Sequence, residues 1–155
     1  MTARDIMTSP VIAVAPAETV GDIARLISQH HISAVPVVDP DSRLLGVVTE
    51  ADLVARAAHP HVPHYIPFME GVIFVETPKA LRTFEEEVRR ILAVTAEQIM
   101  TPEAATVSPD ATVEEMATRM VEEGIERLFV VDEGRVAGIV TRADIVRTLV
   151  PREEP

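Results

Sequence analysis

The chain has 155 residues, 47% of them hydrophobic, and a formal charge of −11; this length suits one compact domain, or two very small ones that share a core. It contains no Cys, which excludes disulfides, thiolate nucleophiles and Cys-based zinc sites, and its acidic balance argues against nucleic acid or anionic lipid as partners, because both bind clustered Lys and Arg. No apolar run approaches the roughly 20 residues of a membrane span and no signal-peptide core follows Met1, so we expect a soluble, cytoplasmic protein with no membrane partner.

The first 58 residues predict the order strand, helix, strand, strand, helix. Residues 11–14 form a short β-branched run, and Thr19 is an N-cap candidate for the helix that follows. The apolar residues of that helix recur at i, i+3, i+4 and i+7: Val20, Ile23, Ala24 and Ile27. Two further β-branched runs, 34–39 and 44–49, flank a polar turn and predict a hairpin, and a second helix begins near Asp52.

Residues 59–93 predict a folded insertion. Residues 59–67 are interrupted by prolines and predict a loop, whereas 71–75 predict a buried strand. Thr77 and Pro78 then supply the N-cap and first position of a helix. One face of this helix is apolar: Leu81, Phe84, Val88 and Ile91.

The rest of the chain repeats the first part, 93 residues later. This offset pairs Ile6-Met7-Thr8 with Ile99-Met100-Thr101 and Val37-Val38-Asp39 with Val130-Val131-Asp132. After a one-residue deletion in a turn, an offset of 92 pairs Gly46, Thr49 and Asp52 with Gly138, Thr141 and Asp144. We therefore divide the chain into a first copy (2–58), the insertion (59–93), a second copy (94–150) and a tail (151–155).

The second copy predicts the same elements as the first. Residues 105–107 predict a strand and Thr112 an N-cap, and the runs 128–132 and 136–141 predict a hairpin that leads into a helix near Asp144. The helix after Thr112 repeats the apolar spacing with Val113, Met116, Ala117 and Met120. A copy of this size is marginal alone, so we expect an α/β (α+β) fold in which two β-α-β-β-α repeats pack about a pseudo-twofold axis and leave clefts for small ligands.

Each copy contains the pattern Thr-x-x-Asp where a strand runs into a helix: Thr49 with Asp52, and Thr141 with Asp144. The N-H groups at a helix start suit a phosphate, and the two carboxylate oxygens can accept hydrogen bonds from both hydroxyls of a ribose. The same pattern is close to the capping box, which needs no ligand. The spacing leaves both interpretations open.

The repeated pattern resembles a known family. Ile-Met-Thr, then Val-x-Pro-x-x-Thr-Val, Val-Val-Asp, and Gly-x-Val-Thr with x-x-Asp look like a tandem pair of CBS domains, the arrangement called a Bateman module. The resemblance covers about 2–58 and 95–150. It implies a non-enzymatic regulatory module that binds an adenine nucleotide (AMP, ADP or ATP) or S-adenosylmethionine between its repeats.

The resemblance also implies roles for particular residues. The Asp of each motif holds the ribose hydroxyls and the Thr contacts ribose or phosphate, which gives Thr49 with Asp52 and Thr141 with Asp144. A basic residue before the second strand contacts phosphate in the family, and in the second copy this residue is Arg127. Arg142, beside Thr141, supports the same assignment. The first copy has Ala34 and Glu50 at these two positions, so the second copy is the better predicted phosphate binder.

Similar paired modules associate through their helices, so the resemblance implies a homodimer and a regulated partner protein in trans. Two alternatives remain. One is a ligand-independent dimerisation or scaffold module whose motifs only cap helices. The other is a metal site formed by the imidazoles of His59, His61 and His64. The usual nucleophile, zinc-protease and phosphate-loop patterns are absent, so we do not expect an enzyme.

Overall fold

A computed structural model of the chain describes residues 1–58, 65–68, 71–74 and 78–150. The first copy contains α1 (Ala3–Ile6), α2 (Val20–His30), β1 (Ala34–Val38), β2 (Leu44–Thr49) and α3 (Glu50–Ala57). The insertion contains β3 (Tyr65–Phe68), β4 (Gly71–Phe74) and α4 (Pro78–Ala93). The second copy contains α5 (Ala96–Ile99), β5 (Thr106–Val107), α6 (Val113–Glu122), β6 (Arg127–Asp132), β7 (Arg135–Thr141) and α7 (Arg142–Thr148). The mixed α and β composition of the two repeats is confirmed.

The chain forms two compact units, and each combines residues of both copies. The first unit consists of Met1–Ala15, Val35–Val47 and the chain from Thr101, and the second consists of Pro16–Ala34 and Val48–Met100.

The first unit is built around a three-stranded sheet in the order β5, β6, β7. The short strand β5 is parallel to β6, and β6 is antiparallel to β7. The predicted hairpin is confirmed: its turn places Glu133 and Gly134 at φ 47° and 82°, a left-handed pair that matches the twist of the flanking strands. Leu128, Val130 and Val140 are fully buried against Met116 and Met120 of α6. These residues form a buried core cluster of the unit.

The short helix α1 of the first copy packs on this second-copy core. The N-H of Ala3 donates to the carbonyl of Ala111 (2.8 Å), and Thr8 and Ile139 exchange backbone hydrogen bonds of 2.9 and 3.1 Å. A Cβ on Gly138 would lie 2.8 Å from Cγ of Met7, so the absence of a side chain there lets the segment approach β7. The opening segment of one copy thus contributes to the other.

An equivalent exchange occurs in the second unit, where the short helix α5 of the second copy packs beside α2 of the first. The N-H of Ala96 donates to the carbonyl of Glu18 (2.8 Å), and the side chain of Ala96 is fully buried. The helix α4 packs on α2 at Gly21, where an added Cβ would lie 3.4 Å from the carbonyl oxygen of Leu92. The insertion therefore supplies a helix to this unit.

Three features differ from the sequence-based expectations. Residues 11–14 do not form a strand; Val14 makes only an isolated parallel bridge to Val37. Part of the expected loop 59–67 is instead the strand β3, which pairs antiparallel with β4. Pro67 suggested a loop because it cannot donate a ladder hydrogen bond, but a two-stranded sheet has outer edges where no donor is needed. The short helices α1 and α5 were not predicted at all.

The structure confirms the predicted start of the insertion helix, whereas other predictions for the insertion concern residues that it does not describe. The helix α4 begins at Pro78, as predicted. Thr77, Val75 and residues 59–64 lie outside the described residues.

Thr112 caps α6, as predicted, and the capping hydrogen bonds stabilise the charged form of Glu115. The N-H of Thr112 donates to the carboxylate of Glu115 (2.8 Å), and the N-H of Glu115 donates back to the Thr112 hydroxyl (3.2 Å). The backbone donor, followed by the hydroxyl, lowers the pKa of Glu115 from its ordinary value of 4.5.

Acidification is therefore expected to remove stability that Glu115 contributes. Because its pKa is lower in the folded chain, this contribution is complete above the ordinary value of 4.5 and disappears as pH falls through the folded-state pKa. Urea unfolding between about pH 7 and pH 3 should show a shallower loss of stability for Glu115→Gln than for the unmodified chain. Identical slopes for the two proteins would contradict the cap's electrostatic role.

Candidate functional site

Both Thr-x-x-Asp motifs lie at a junction between a strand and a helix, as predicted. Thr49 ends β2 and caps α3, and Thr141 ends β7 and caps α7. In each copy the Asp is the third helical residue, so its carboxylate turns back towards the N-H of the capping Thr.

In the first copy, Asp52 completes a capping box with Thr49. Its Oδ2 accepts hydrogen bonds from the Thr49 N-H (2.8 Å) and hydroxyl (3.0 Å), and its own N-H donates to the Thr49 hydroxyl at 3.4 Å. The carboxylate is partly buried. Among the described residues, only Thr49 hydrogen-bonds to this side chain.

In the second copy, Asp144 is more deeply buried and has an additional partner. Only 4% of the residue is exposed. Its Oδ2 accepts from the Thr141 N-H and hydroxyl, both at 2.7 Å, while its Oδ1 accepts from the guanidinium of Arg147. The capping interpretation is thus structurally realised in both copies.

The capping bonds do not use the whole carboxylate. An ionised carboxylate offers about four acceptor positions on its two oxygens, and in each copy the cap uses only Oδ2. A vicinal diol needs two acceptor positions. Capping by Thr and ligand binding by Asp are therefore chemically compatible.

Asp144 lines a cleft of about 810 Å³ in the first unit, a volume within the range of small-molecule sites. The lining residues come from α1 and its flanks in the first copy and from α7 in the second: Met1, Asp5, Ile6, Thr8, Asp144, Arg147, Thr148 and Val150. The Thr2 backbone N-H, followed by the Thr2 hydroxyl, lowers the pKa of Asp5, so this second carboxylate also carries a charge at neutral pH.

The two residues predicted to contact phosphate, Arg127 and Arg142, lie outside the cleft that Asp144 lines. Arg127 lies opposite Thr141 in the sheet ladder, and its side chain lines a smaller cleft of about 240 Å³ with Val47, Ala105 and Phe129. It forms an ion pair with the exposed Glu126 at 3.2 Å. The Nε of Arg142 donates to the carbonyl of Ile125 (3.1 Å). Neither cation lines the cleft that contains Asp144.

Among the described residues that line this cleft, Arg147 is the one Lys or Arg, and it was not among the predicted site residues. Its spacing of three residues from Asp144 was a visible signal, since such pairs meet on one helix face. Asp5 and Thr8 had no such signal, because only the packing of α1 brings them near α7. The sequence thus did not indicate which residues surround Asp144.

Neither a group of metal-binding side chains nor a membrane-spanning helix is found among the residues that the structure describes. Among the described residues, no three His, Asp or Glu side chains are grouped closely enough to hold a metal ion. His59, His61 and His64 lie outside that part of the chain. Within the ranges that the structure describes, none of the helices combines the length and apolarity needed to cross a bilayer.

Comparison with solved structures identifies the fold. The structure of CBSX2 in complex with AMP superposes with a TM-score of 0.71 and 25% identity, covering 96% of this chain and 95% of that one. CBSX2 of Arabidopsis thaliana is 28% identical over 153 residues, which are 94% of this chain and 62% of that protein. The CBS domain pair of MJ0100, in complex with 5′-methylthioadenosine and S-adenosyl-L-methionine, superposes with a TM-score of 0.70 and 25% identity, covering 96% and 95%.

A third relative is Hypoxic response protein 1 of Mycobacterium tuberculosis. It is 30% identical over 148 residues, covering 96% of this chain and 85% of that protein. Its crystal structure, with two coordinated zinc ions, has a TM-score of 0.67 and covers 97% of this chain and 100% of that one. The family model for the CBS domain matches residues 3–59 and 96–151 of this chain. The chain therefore belongs to the CBS domain family and carries two CBS repeats.

Proposed function

We propose that this chain is a non-enzymatic regulatory module that binds an adenine nucleotide or a related adenosyl compound such as S-adenosylmethionine. The observation that carries the proposal is the buried carboxylate of Asp144, held by Thr141 at the wall of a cleft lined by residues of both repeats. The complexes of CBSX2 with AMP and of MJ0100 with adenosyl compounds support the choice of ligand.

In the proposed complex, the Asp of each motif accepts hydrogen bonds from the ribose hydroxyls. Charged acceptors are suited to this role because their hydrogen bonds are stronger than neutral ones. The proposed binding set remains Thr49, Asp52, Arg127, Thr141, Arg142 and Asp144, with Arg127 and Arg142 outside the cleft that Asp144 lines. We retain 2–58 and 94–150 as the proposed repeat boundaries, with 59–93 between them.

A ligand of this kind regulates only if its affinity differs between two arrangements of the chain. We propose that binding shifts their populations and that a separate partner protein in the cytoplasm reads the shift. Exposed apolar side chains at equivalent positions of α3 and α7, Val54 and Val146, support a homodimer as the assembled form.

Addition of the correct adenosyl ligand is expected to raise the melting temperature. A ligand at 100 times its Kd stabilises the folded state by about 2.7 kcal/mol, which corresponds to roughly 5 to 11 °C for a chain of this size. The measurement compares AMP, ADP, ATP and S-adenosylmethionine by calorimetry, with GMP as the control for base recognition. If none of the four adenosyl compounds shifts the melting temperature, the proposed function is wrong.

Native mass spectrometry of the protein as purified complements this measurement, because it reports retained ligand and subunit number together. A mass of two chains supports the homodimer.

Two other functions have some support. The capping bonds of Thr49 and Thr141 favour a ligand-independent scaffold, which predicts a stable dimer with no response to nucleotides. The coordinated zinc ions of the related Hypoxic response protein 1 favour a metal site, which predicts zinc uptake that is lost when His59, His61 and His64 are replaced.

A further inference from the structure

The two motifs differ in the partner of their Asp. In the second copy, Arg147 lies one helical turn after Asp144 and pairs with its Oδ1. At the offset of 92 residues, the first copy has Ala55 at this position, and Asp52 makes no ion pair within the described residues. The asymmetry is independent of Arg127 and Arg142, which contact other groups.

The pair occupies acceptor positions that a ribose would need. Oδ2 of Asp144 already accepts two hydrogen bonds from Thr141, and Arg147 binds Oδ1. A diol therefore has to displace or share the guanidinium. For a neutral nucleoside this exchange costs a charge-assisted hydrogen bond, and the ligand offers no anion in return.

Arg147 can instead pair with an anionic group of the ligand. Its side chain is 72% exposed and lines the same cleft as the carboxylate, so it can rotate without leaving the site. It is the only Lys or Arg among the described lining residues, which also include the charged carboxylate of Asp5. Among the described side chains of this cleft, Arg147 is therefore the positively charged group that a phosphate can pair with.

We propose that Arg147 is a specificity-determining residue that makes the second-copy site selective for anionic ligands. Before a ligand binds, Arg147 pairs with the Asp144 carboxylate. The phosphate of a nucleotide then pairs with Arg147 and displaces it from Asp144 as the ribose hydroxyls bind. This inference rests on the proposed function and adds the ligand class: nucleoside phosphates in preference to uncharged nucleosides. The first-copy site, with Ala55, lacks this selection.

The test measures AMP and adenosine binding by calorimetric titration, in an Asp52→Asn background that leaves only the second-copy site to report. Replacing Arg147 by Gln is expected to tighten adenosine binding and weaken AMP binding. The ratio of the two affinities should change by about tenfold, the effect of one hydrogen bond to a charged group. Arg147→Lys should restore the preference for AMP, because it keeps the charge.

The matched gain-of-function variant is Ala55→Arg in an Asp144→Asn background, which should impose a preference for AMP on the first-copy site. A purely structural role of Arg147 would lower the melting temperature without changing the ratio.

Two outcomes separate this inference from the proposed function. If the unmodified chain binds AMP but adenosine gains no affinity in Arg147→Gln, or if Asp52→Asn alone abolishes all binding, the selectivity role of Arg147 is overturned and the proposed function stands. If the unmodified chain binds neither AMP nor any other adenosyl compound, the proposed function itself fails.

Discussion

The Asp144→Asn protein is expected to bind AMP about 10 to 100 times more weakly than the unmodified chain at the second-copy site. The amide replaces one carboxylate oxygen by a donor, so it can no longer accept hydrogen bonds from both ribose hydroxyls and loses the charge that strengthens them. Titration calorimetry with AMP and with 2′-deoxy-AMP measures the effect. The deoxy compound lacks one hydroxyl and should lose less affinity on the substitution.

The fold provides the control for this prediction. The side-chain carbonyl that the Asp144→Asn substitution retains can still accept from the Thr141 N-H, so the cap survives and the loss of stability should not exceed about 1 kcal/mol. Asp52→Asn is the matched variant, since Asp52 is held by Thr49 in the same way. If AMP binds Asp144→Asn and Asp52→Asn as tightly as it binds the unmodified chain, the carboxylates are caps alone and the scaffold function is favoured.

Ala3→Glu is expected to lower stability by at least about 3 kcal/mol, which corresponds to a fall of roughly 6 °C or more in melting temperature. Ala3 is fully buried and belongs to the same hydrophobic core cluster as Met116 and Leu128. A carboxylate there loses its hydration among apolar side chains. Thermal unfolding followed by circular dichroism measures the change.

Two variants serve as controls for this prediction, one at an exposed position and one at the equivalent buried position. Val121→Glu places the same side chain at a position that is 81% exposed on α6, and should change stability by no more than about 0.5 kcal/mol. Ala96→Glu introduces the charge at the equivalent buried residue of α5 and should match Ala3→Glu. If Ala3→Glu is as stable as the Val121→Glu control, α1 does not pack on the second-copy core in solution.

Some features that were missed had a signal in the sequence. The helices α1 and α5 each begin with a capping pattern, Thr2 with Asp5 and Thr95 with Gln98, but each has only four residues. An isolated helix of that length is unstable in water. Only the burial of Ala3 and Ala96 in cores formed largely by the other copy makes these turns persist.

The sequence by itself determined the duplication, the capped helices, the hairpins and the junction position of both Thr-x-x-Asp motifs. The duplication follows from the repeat at an offset of 93 residues. The other features follow from spacing within about ten residues, where backbone geometry decides which side chains meet. Tertiary structure alone decided that α1 crosses to the second copy, that Asp5 and Arg147 share a cleft with Asp144, and that Arg127 lies in another. Asp5 and Asp144 line one cleft because the buried Ala3 and the missing side chain of Gly138 allow the first segment to pack on β7, and no local spacing in the sequence encodes this packing.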